Sequence, residues 1–350
     1  MSDRLEAVLA DAVPRVCAAA VALIAVDGSV VAAAATGELV RYADAEGTPA
    51  ADRPPARRDS VFDLASISKL FTTSVVMSLA EQGRLGLDEP VSGWIPGVDA
   101  RITPRRLLTH TAGFQPTRRI DLELPDADAA TRLAAMLGTP VTEPVGERYL
   151  YSDVGLVMAG RLAELAGGLS LDALVRERVT GVLGLSDTGY RTIGDAAPAQ
   201  RVAATEWKPE RGGVVRGEVH DETAWALGGV AGHAGVFATA DDLLAFGETL
   251  RLGGGAMLRP ESVAEMLRDQ GVAGAPFRHG LGVRIGDPGI VGPLTSAWGH
   301  SGFTGTSLVV DRERRLSVVL LTNAVHPLRG RDGVRELRNA VAAEGLRLAG

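Results

Sequence analysis

Residues 62–71 of the chain read FDLASISKLF, and this stretch predicts both a local structure and a chemistry. It begins in a predicted short strand, Val61–Ala65, and the apolar pattern that follows predicts a helix from Ser66 to Gly83. Residues three apart on a helix share a face, with Cβ atoms about 5–6 Å apart, so Lys69 is expected to lie over Ser66. Ser66 would then stand at a helix N-terminus, where free N–H groups and the helix dipole favour a developing oxyanion.

Ser66 and Lys69 have the chemistry of a nucleophile and its base, because a serine hydroxyl reacts once a neighbour accepts its proton. Arginine cannot accept that proton, whereas burial lowers the pKa of a lysine from its reference value of about 10.4. The apolar neighbours that would bury this lysine are Leu64, Ile67, Leu70 and Phe71. The chain holds 36 Lys and Arg residues, and only Lys69 and Lys208 are lysines, so a structural cation would ordinarily be arginine. The alternative interpretation is a helix-capping serine followed by a lysine that reaches solvent.

Two further segments complete a set of three motifs. Residues 144–155 read PVGERYLYSDVG, and residues 298–305 read WGHSGFTG. The first resembles the Tyr-x-Asn box of the penicillin-recognising serine hydrolases, and the second resembles their Lys-Thr-Gly or His-x-Gly box. The tyrosine in the middle box makes the chain most similar to the class C β-lactamase and serine esterase branch, whose members also have tyrosine there. Segments 107–113 and 228–235 also match that branch, so the resemblance spans nearly the whole chain in the right order.

The resemblance implies an α/β (α+β) fold of the β-lactamase type. In this fold an antiparallel five-stranded sheet is flanked by helices, and a helical domain is inserted into it. The residue patterns agree, because strands with flanking helices are predicted at both ends of the chain and mostly helices in the middle. We therefore predict a sheet domain formed by residues 1–85 and 225–350 and a mainly helical domain formed by residues 86–224. The active site would lie in the cleft between them.

The family's functional residues carry over onto the three motifs. Ser66 would be the acylated nucleophile, and Lys69 and Tyr151 would share the general-base and general-acid roles, with the order of action left open. The backbone N–H groups of Ser66 and Phe303 would form the oxyanion hole, and Ser301 and Gly302 would border it. Taken alone, Tyr151 has an alternative interpretation as a buried aromatic residue with a satisfied hydroxyl.

Two departures from the family pattern bear on the substrate. Asp153 stands at the usual asparagine position, where an ionised carboxylate accepts hydrogen bonds but donates none to a substrate carbonyl. If Asp153 is close to Lys69 it would hold the lysine protonated, which makes Tyr151 the expected proton acceptor. His300 stands where many β-lactamases carry lysine and, being neutral near pH 7, offers a substrate carboxylate less positive charge. Both departures favour an uncharged ester over a penicillin, although His300 has the alternative of simple packing on the sheet.

Other histidines give weaker signals. His220, which is followed by Asp221, and His233 are candidate metal ligands. The two histidines are thirteen residues apart and no further ligand stands at a characteristic spacing, so we predict no metal and no cofactor. By resemblance, segment 228–235 borders the cleft, which makes His233 a candidate substrate contact. The glycines of this segment lack the strand–glycine–helix context of a nucleotide site.

The composition is that of a globular protein of 350 residues, with 46% hydrophobic and 23% charged residues. A net charge of −7 argues against a nucleic-acid surface. Cys17 is the only cysteine, so no intrachain disulfide can form. The longest apolar run, Val16–Val26, is too short for a membrane helix and does not follow a basic signal-peptide region. These features predict a cytoplasmic protein without membrane or nucleic-acid partners and leave its oligomeric state open.

Together the motifs predict a serine hydrolase that cleaves a small-molecule carboxylic ester through an acyl-enzyme on Ser66. Ester cleavage is less demanding than amide cleavage because an alkoxide leaves more readily than an amine. An acyltransferase, a D-amino-acid amidase or peptidase and a weak β-lactamase are alternatives, since the motifs do not encode the acyl acceptor. A further alternative is a catalytically silent binding module, which the presence of Ser66, Lys69 and Tyr151 argues against.

Overall fold

An antiparallel sheet forms the centre of the protein, whose computed structural model describes residues 2–193 and 199–350. The strands of these residues are β1 Ala19–Val26, β2 Ser29–Gly37, β3 Phe62–Asp63, β4 Gly189–Tyr190, β5 Ala204–Lys208, β6 Gly213–Arg216, β7 Val236–Ala238, β8 Arg278–His279, β9 Arg284–Ile285, β10 Trp298–Ser301, β11 Ser307–Asp311 and β12 Leu316–Thr322. The main sheet has the strand order β2-β1-β12-β11-β10-β9-β8. It therefore joins strands from both ends of the chain, as the patterns predicted.

Within the described residues the main sheet has seven strands, where the resemblance implied five. The added strands, β8 and β9, lie at one edge of the sheet. The sequence pattern predicts a single strand over Gly280–Ile285, but the chain reverses at Gly282, whose φ of 68° is a left-handed conformation that costs glycine little. His279 consequently pairs with Arg284, and only the end of the predicted strand remains as β9.

The Asp-Gly pair between the apolar runs Val16–Val26 and Val30–Val40 predicts a hairpin, and the structure confirms it. Asp27 and Gly28 join β1 to β2 with φ angles of 53° and 79°, which are the left-handed values that a two-residue hairpin turn of type I′ requires. Alternate side chains of β1 enter different apolar cores, with Val21 and Leu23 on one face of the sheet and Ala22 on the other. The strand is therefore buried on both faces.

Helices cover both faces of the sheet. The helices of the described residues are α1 Ser2–Ala12, α2 Ser68–Glu81, α3 Pro104–Leu108, α4 Ile120–Glu123, α5 Ala129–Leu137, α6 Asp153–Gly167, α7 Leu171–Val175, α8 Gly181–Leu183, α9 Glu222–Ala226, α10 Ala240–Arg251, α11 Pro260–Leu267 and α12 Val334–Ala349. Apolar residues of α2 and α10 share one core with β1, and those of α1 and α12 share the other. The apolar pattern predicts one helix over Leu171–Val179, and in the structure a π-helical turn at Arg176–Thr180 replaces its end.

The middle of the chain holds α3–α8 and also three short strands that the predominantly helical pattern did not reveal. In the described residues β4 joins β3 and β7 in a small sheet, and β5 and β6 form a separate hairpin. These strands are two to five residues long, too short for a period-2 pattern to stand out in the sequence. The division into two domains at the stated boundaries stays a prediction.

In the described part of the chain, no individual helix has both the length and the apolar composition needed to cross a bilayer. The segments Asp153–Gly167 and Leu171–Leu183 satisfy these two criteria only when combined, and they meet at an angle of 76°.

Candidate active site

The serine of the first motif lies in a tight turn between a strand and the buried helix α2. A 3₁₀ turn over Ala65–Ile67 carries Ser66, and α2 begins only at Ser68, two residues later than the expected helix start. Ala65 has a φ of 47°, an uncommon value for a residue with a side chain, and its N–H donates to Asp63 Oδ1 at 2.8 Å. The constrained turn sets the direction in which the serine hydroxyl leaves the backbone.

Lys69 lies over the serine, as the i, i+3 spacing predicted. Its side chain is 1% exposed, and Nζ lies 2.8 Å from Ser66 Oγ, 2.8 Å from Asp153 Oδ1 and 3.2 Å from the carbonyl oxygen of His233. A lysine ammonium has three N–H donors, so these three acceptors satisfy it completely. The arrangement is that of a buried cation held in one orientation.

The charge state of Lys69 differs from the expectation based on its apolar neighbours. Burial acts to lower the pKa of Lys69, but the Asp153 carboxylate and Tyr151 outweigh burial and raise that pKa above its usual value. The prediction that Asp153 would hold Lys69 protonated is confirmed, and the prediction of a lowered lysine pKa is wrong. Lys69 is therefore an ammonium ion near neutral pH, and it is not a free base waiting for the serine proton.

Tyr151 completes the convergence of three groups from distant parts of the chain. Its hydroxyl lies 3.0 Å from Ser66 Oγ, and Lys69 Nζ lies 5.0 Å from the centre of its ring. The next residue, Ser152, begins α6 by accepting the Gly155 N–H on its hydroxyl, a helix cap that anchors the loop. The nucleophile thus lies between an ammonium and a phenol, both within hydrogen-bond distance.

His110 holds the loop that carries Tyr151. Burial lowers the pKa of His110 well below its usual range, so the ring is neutral and its Nδ1 accepts the Ser152 N–H at 3.1 Å. The ring of His110 also lies 4.5 Å, centre to centre, from that of Tyr151. The second motif is therefore positioned by the neighbouring segment 107–113, which the sequence placed in the same family pattern.

The third motif lies on β10 and in the turn after it. His300 is buried, and burial together with the charges of Arg284 and Lys69 lowers its pKa well below the usual range. The predicted neutral state of His300 is confirmed, and its Nδ1 is in contact with the Ser301 carbonyl oxygen at 2.9 Å. Ser301 and Phe303 line the same cleft as the nucleophile, and the Phe303 side chain is 60% exposed.

Two threonine hydroxyls tie the turn of the third motif to the segment that precedes the nucleophile. Thr304 Oγ1 donates to the carbonyl oxygen of Asp63 at 2.8 Å, and Thr306 Oγ1 donates to that of Leu64 at 3.1 Å. These bonds hold the Phe303 backbone beside the serine turn, where the oxyanion hole is predicted.

Gly302 fits where a larger residue would not. A Cβ atom at this position would overlap Thr306 Oγ1 and the Leu64 carbonyl oxygen. We expect Gly302→Ala to lower the free energy of unfolding by about 1–3 kcal/mol through overpacking and to reduce turnover at least about tenfold by displacing the next N–H. Thermal unfolding and steady-state rates measure both effects. Gly93→Ala is the control because a Cβ there meets nothing within 4 Å, and equal effects of the two substitutions would contradict the prediction.

His233 does not have the role expected of a substrate contact. It is buried, and its Nε2 lies 2.8 Å from Asp221 Oδ1, so the side chain binds the protein itself. The backbone carbonyl oxygen of His233 accepts a hydrogen bond from Lys69 Nζ. Within the described residues, Asp153, Asp221 and His233 bring possible metal ligands within 4.8 Å of one another. Asp153 is already paired with the Lys69 ammonium and Asp221 with His233. The metal-free site stays a prediction.

Four arginines that the sequence motifs did not indicate line the cleft, and two of them are Arg284 on β9 and Arg338 on α12. Arg284 binds Asp287 Oδ2 at 3.1 Å, and its Cζ lies 4.9 Å from the centre of the Tyr151 ring. Arg338 donates to the Gly302 carbonyl oxygen at 2.8 Å, and burial and the Arg284 charge lower its pKa to about 10. Among the described residues neither buried Nε has a hydrogen-bond partner. Positive charge is thus present in the cleft although His300 does not supply it.

The sequence matches the Beta-lactamase family over residues 12–343. An Escherichia coli (strain K12) protein named "Putative D-alanyl-D-alanine carboxypeptidase" is 29% identical over 342 residues, which cover 87% of this chain and 78% of that protein. The structure of "EstCE1, a hydrolase with promiscuous acyltransferase activity" is 25% identical in sequence and has a TM-score of 0.74. The match covers 97% of this chain and 98% of that chain.

More distant structures share the fold. Simvastatin synthase (LovD) from Aspergillus terreus is 20% identical, with a TM-score of 0.75 over 99% of this chain and 98% of that one. A penicillin binding protein from Bacillus halodurans is 22% identical, with a TM-score of 0.71 over 93% of this chain and 96% of that one. With the serine, lysine and tyrosine in contact and the family match across almost the whole length, the chain is a serine hydrolase and belongs to the beta-lactamase family, within the penicillin-recognising superfamily.

Proposed function

We propose that this serine hydrolase cleaves carboxylic esters through an acyl-enzyme formed on Ser66. The observation that carries the proposal is that Ser66 Oγ lies 2.8 Å from Lys69 Nζ and 3.0 Å from the Tyr151 hydroxyl, at the wall of a cleft. A serine hydroxyl this close to an ammonium and to a phenol oxygen becomes an activated nucleophile once the phenol oxygen has lost its proton.

In the proposed first step, Ser66 Oγ attacks the ester carbonyl carbon and its proton passes to the Tyr151 oxygen as the C–O bond forms. For this step Tyr151 reacts as its phenolate, formed when its hydroxyl proton leaves to solvent, and the positive charges of Lys69 and Arg284 lie beside its ring. The carbonyl oxygen becomes an oxyanion held by the N–H groups of Ser66 and Phe303. Expulsion of the alkoxide, which takes the proton from Tyr151, leaves the acyl group on the serine.

Water completes the proposed cycle. The Tyr151 oxygen accepts a proton from the water as the water oxygen attacks the acyl carbonyl, and the same oxyanion hole holds the second tetrahedral intermediate. Collapse of that intermediate releases the acid, and the proton returns from Tyr151 to Ser66 Oγ. Each step therefore returns the proton that the previous step removed.

The proposal is tested with short p-nitrophenyl esters and a fluorophosphonate probe on the full chain. We expect release of p-nitrophenol by the wild-type protein and one covalent phosphonyl adduct on the peptide that contains Ser66, detected by mass spectrometry. Turnover of esters but not of nitrocefin would favour the ester reaction over β-lactam cleavage. Absence of both turnover and adduct would contradict the proposal and favour a silent binding module.

A second candidate function is cleavage of a peptide that ends in a D-amino acid. The observation that favours it is that Arg284 and Arg338 both line the cleft, because guanidinium groups pair well with a substrate carboxylate. The Escherichia coli relative carries a carboxypeptidase name. The test compares release of D-alanine from an acyl-D-Ala-D-Ala peptide with release of D-alaninamide from the same peptide with an amidated C-terminus. Loss of cleavage on amidation supports this candidate, and equal rates or no cleavage of either peptide contradict it.

The role of Asp153 gives a pH-dependent prediction. Because the Asp153 charge raises the pKa of Lys69, Asp153→Asn should lower that pKa, and the ammonium should lose its proton at a lower pH than in the wild type. If Tyr151 is the proton acceptor and Lys69 acts as a cation, the alkaline limb of the kcat/KM profile moves to lower pH. The measurement is the ester hydrolysis rate from pH 5 to the alkaline limit of stability. Movement of the acidic limb instead, with a gain of activity at neutral pH, would identify Lys69 as the base and contradict the assignment.

A further inference from the structure

A set of ionisable side chains outside the reacting groups forms part of one wall of the cleft, and all but one of them, the 41% exposed Arg329, are largely buried. We refer to it as the Glu206 cluster, and its members are Glu206, Lys208, His220, Glu222 and Arg329. Side-chain exposures are 8% for Glu206, 5% for Lys208 and 4% for His220. Lys208, the second lysine of the chain, donates to Glu222 Oε1 at 2.6 Å and to the His220 carbonyl oxygen at 2.9 Å. The cluster therefore joins the β5–β6 hairpin, the start of α9 and the segment that follows β12.

Glu206 links His220 and Arg329, the two members of the cluster that lie closest to the third motif. His220 Nε2 lies 2.9 Å from Glu206 Oε2, and Arg329 Nε lies 2.8 Å from both carboxylate oxygens. Burial acts to raise the pKa of Glu206, but the hydrogen bonds from His220 and Arg329 outweigh it and lower that pKa, so the carboxylate is ionised. The carboxylate thus fixes the positions of an imidazole and a guanidinium relative to each other.

Both partners of Glu206 contact the ring of Phe303. The His220 ring stacks on it with centres 5.7 Å apart and an angle of 23° between the planes, and Arg329 Cζ lies 5.4 Å from its centre. Phe303 is otherwise 60% exposed, so few other contacts hold this side chain. The Glu206 cluster therefore sets the position of the residue whose backbone N–H is assigned to the oxyanion hole.

The same histidine is bonded to the serine turn. The His220 N–H donates to Asp63 Oδ2 at 2.7 Å, while Asp63 Oδ1 accepts the N–H of Ala65, the residue before the nucleophile. Hydrogen bonds thus connect Glu206, through His220 and Asp63, with the N–H of the residue before Ser66, and ring contacts connect the same cluster with Phe303. A buried ion pair adds little net stability over apolar side chains of the same size, whereas its directional bonds fix geometry.

We propose that Glu206 is a positioning residue for the oxyanion hole. By binding His220 and Arg329 it holds the Phe303 ring, and thereby keeps the Phe303 N–H aimed at the same point as the Ser66 N–H. The proposal rests on the proposed function, because it assumes that an oxyanion forms at this place. It assigns no contact between Glu206 and the substrate.

The test is a double-mutant cycle with Glu206→Gln and Phe303→Ala, which removes the ring but keeps the backbone N–H. For each variant the rate constant of Ser66 labelling by a fluorophosphonate is measured, together with kcat and KM for an ester. We expect Glu206→Gln to lower the labelling rate and kcat by about tenfold, a fraction of the 10²–10³ that loss of a whole donor costs, with KM within about twofold. Because Glu206 acts through the ring, the double variant should be no slower than Phe303→Ala alone.

The controls separate positioning from general destabilisation. Glu248→Gln makes the same change in another buried ion pair, with Arg251, which does not line the cleft, and should leave the labelling rate unchanged. If Glu206→Gln does not fold, Arg329→Met removes the other contact of the ring while keeping the Glu206–His220 pair, and the same cycle with Phe303→Ala applies.

The possible results distinguish failure of the positioning role from failure of the proposed function. Additive losses in the cycle, or a labelling rate of Glu206→Gln equal to that of wild type, would overturn the positioning role while the proposed function stands. A wild-type protein that the probe does not label would overturn the proposed function, and the positioning role with it.

Discussion

Replacement of Ser66 with alanine is expected to lower ester turnover by about 10⁴-fold or more and to abolish labelling by the fluorophosphonate. The reason is that Ser68, the serine two residues further along the chain, cannot take its place. Ser68 is fully buried and its Oγ accepts the Val236 N–H at 3.0 Å, so it points away from the reacting position. Steady-state hydrolysis and intact mass after exposure to the probe measure the effect.

Ser68→Ala is the matched control for this prediction. It removes a hydroxyl from the same turn and should cost about 1 kcal/mol of stability through the lost hydrogen bond while leaving the probe adduct intact. A Ser66→Ala protein that still forms the adduct would place the nucleophile on another residue and contradict the assignment of the site.

Replacement of Lys69 with methionine is expected to lower turnover by about 10²–10⁴-fold and also to destabilise the fold. The substitution keeps an unbranched side chain but removes the cation that contacts both Ser66 Oγ and Asp153 Oδ1. Asp153, whose side chain is 19% exposed, then lacks its charge partner, which should cost about 2 kcal/mol, below the range for a fully buried pair. Kinetics and thermal unfolding measure the two losses separately.

The double variant Lys69→Met with Asp153→Asn separates the two roles of the lysine. Removing the Asp153 charge should restore much of the stability, because no unpaired carboxylate remains, but it should not restore turnover. Recovery of turnover in the double variant would mean that Lys69 only neutralises Asp153 and takes no direct part in the reaction.

Several features of the site could be predicted because they depend on residues close together in the chain. The spacing of Ser66 and Lys69 places them on one face of a helix turn, and the contact of 2.8 Å in the structure agrees with that prediction. The turn at Asp27-Gly28 likewise follows from two adjacent residues that adopt positive φ. The match of the Tyr151 motif to a known family supplied the third group of the site.

Features that depend on packing between distant segments were missed or predicted wrongly. Apolar neighbours predicted a lowered pKa for Lys69, and only the folded chain shows that Asp153, 84 positions away, lies close enough to outweigh them. Arg284 alternates with apolar residues as an edge-strand residue would, and Arg338 occupies the polar face of an amphipathic helix, so neither gave a signal for the cleft. His233 was expected to reach the substrate, yet its side chain binds Asp221.

Composition and motif order alone predicted the family, the α/β fold class and the identity of the groups around the nucleophile. The folded chain decided their charge states, the arginines that share the cleft and the Glu206 cluster beside Phe303. The physical reason is one of range. Helix periodicity and turn preferences act over a few residues, whereas burial and Coulomb interactions depend on which remote side chains packing brings within a few ångströms.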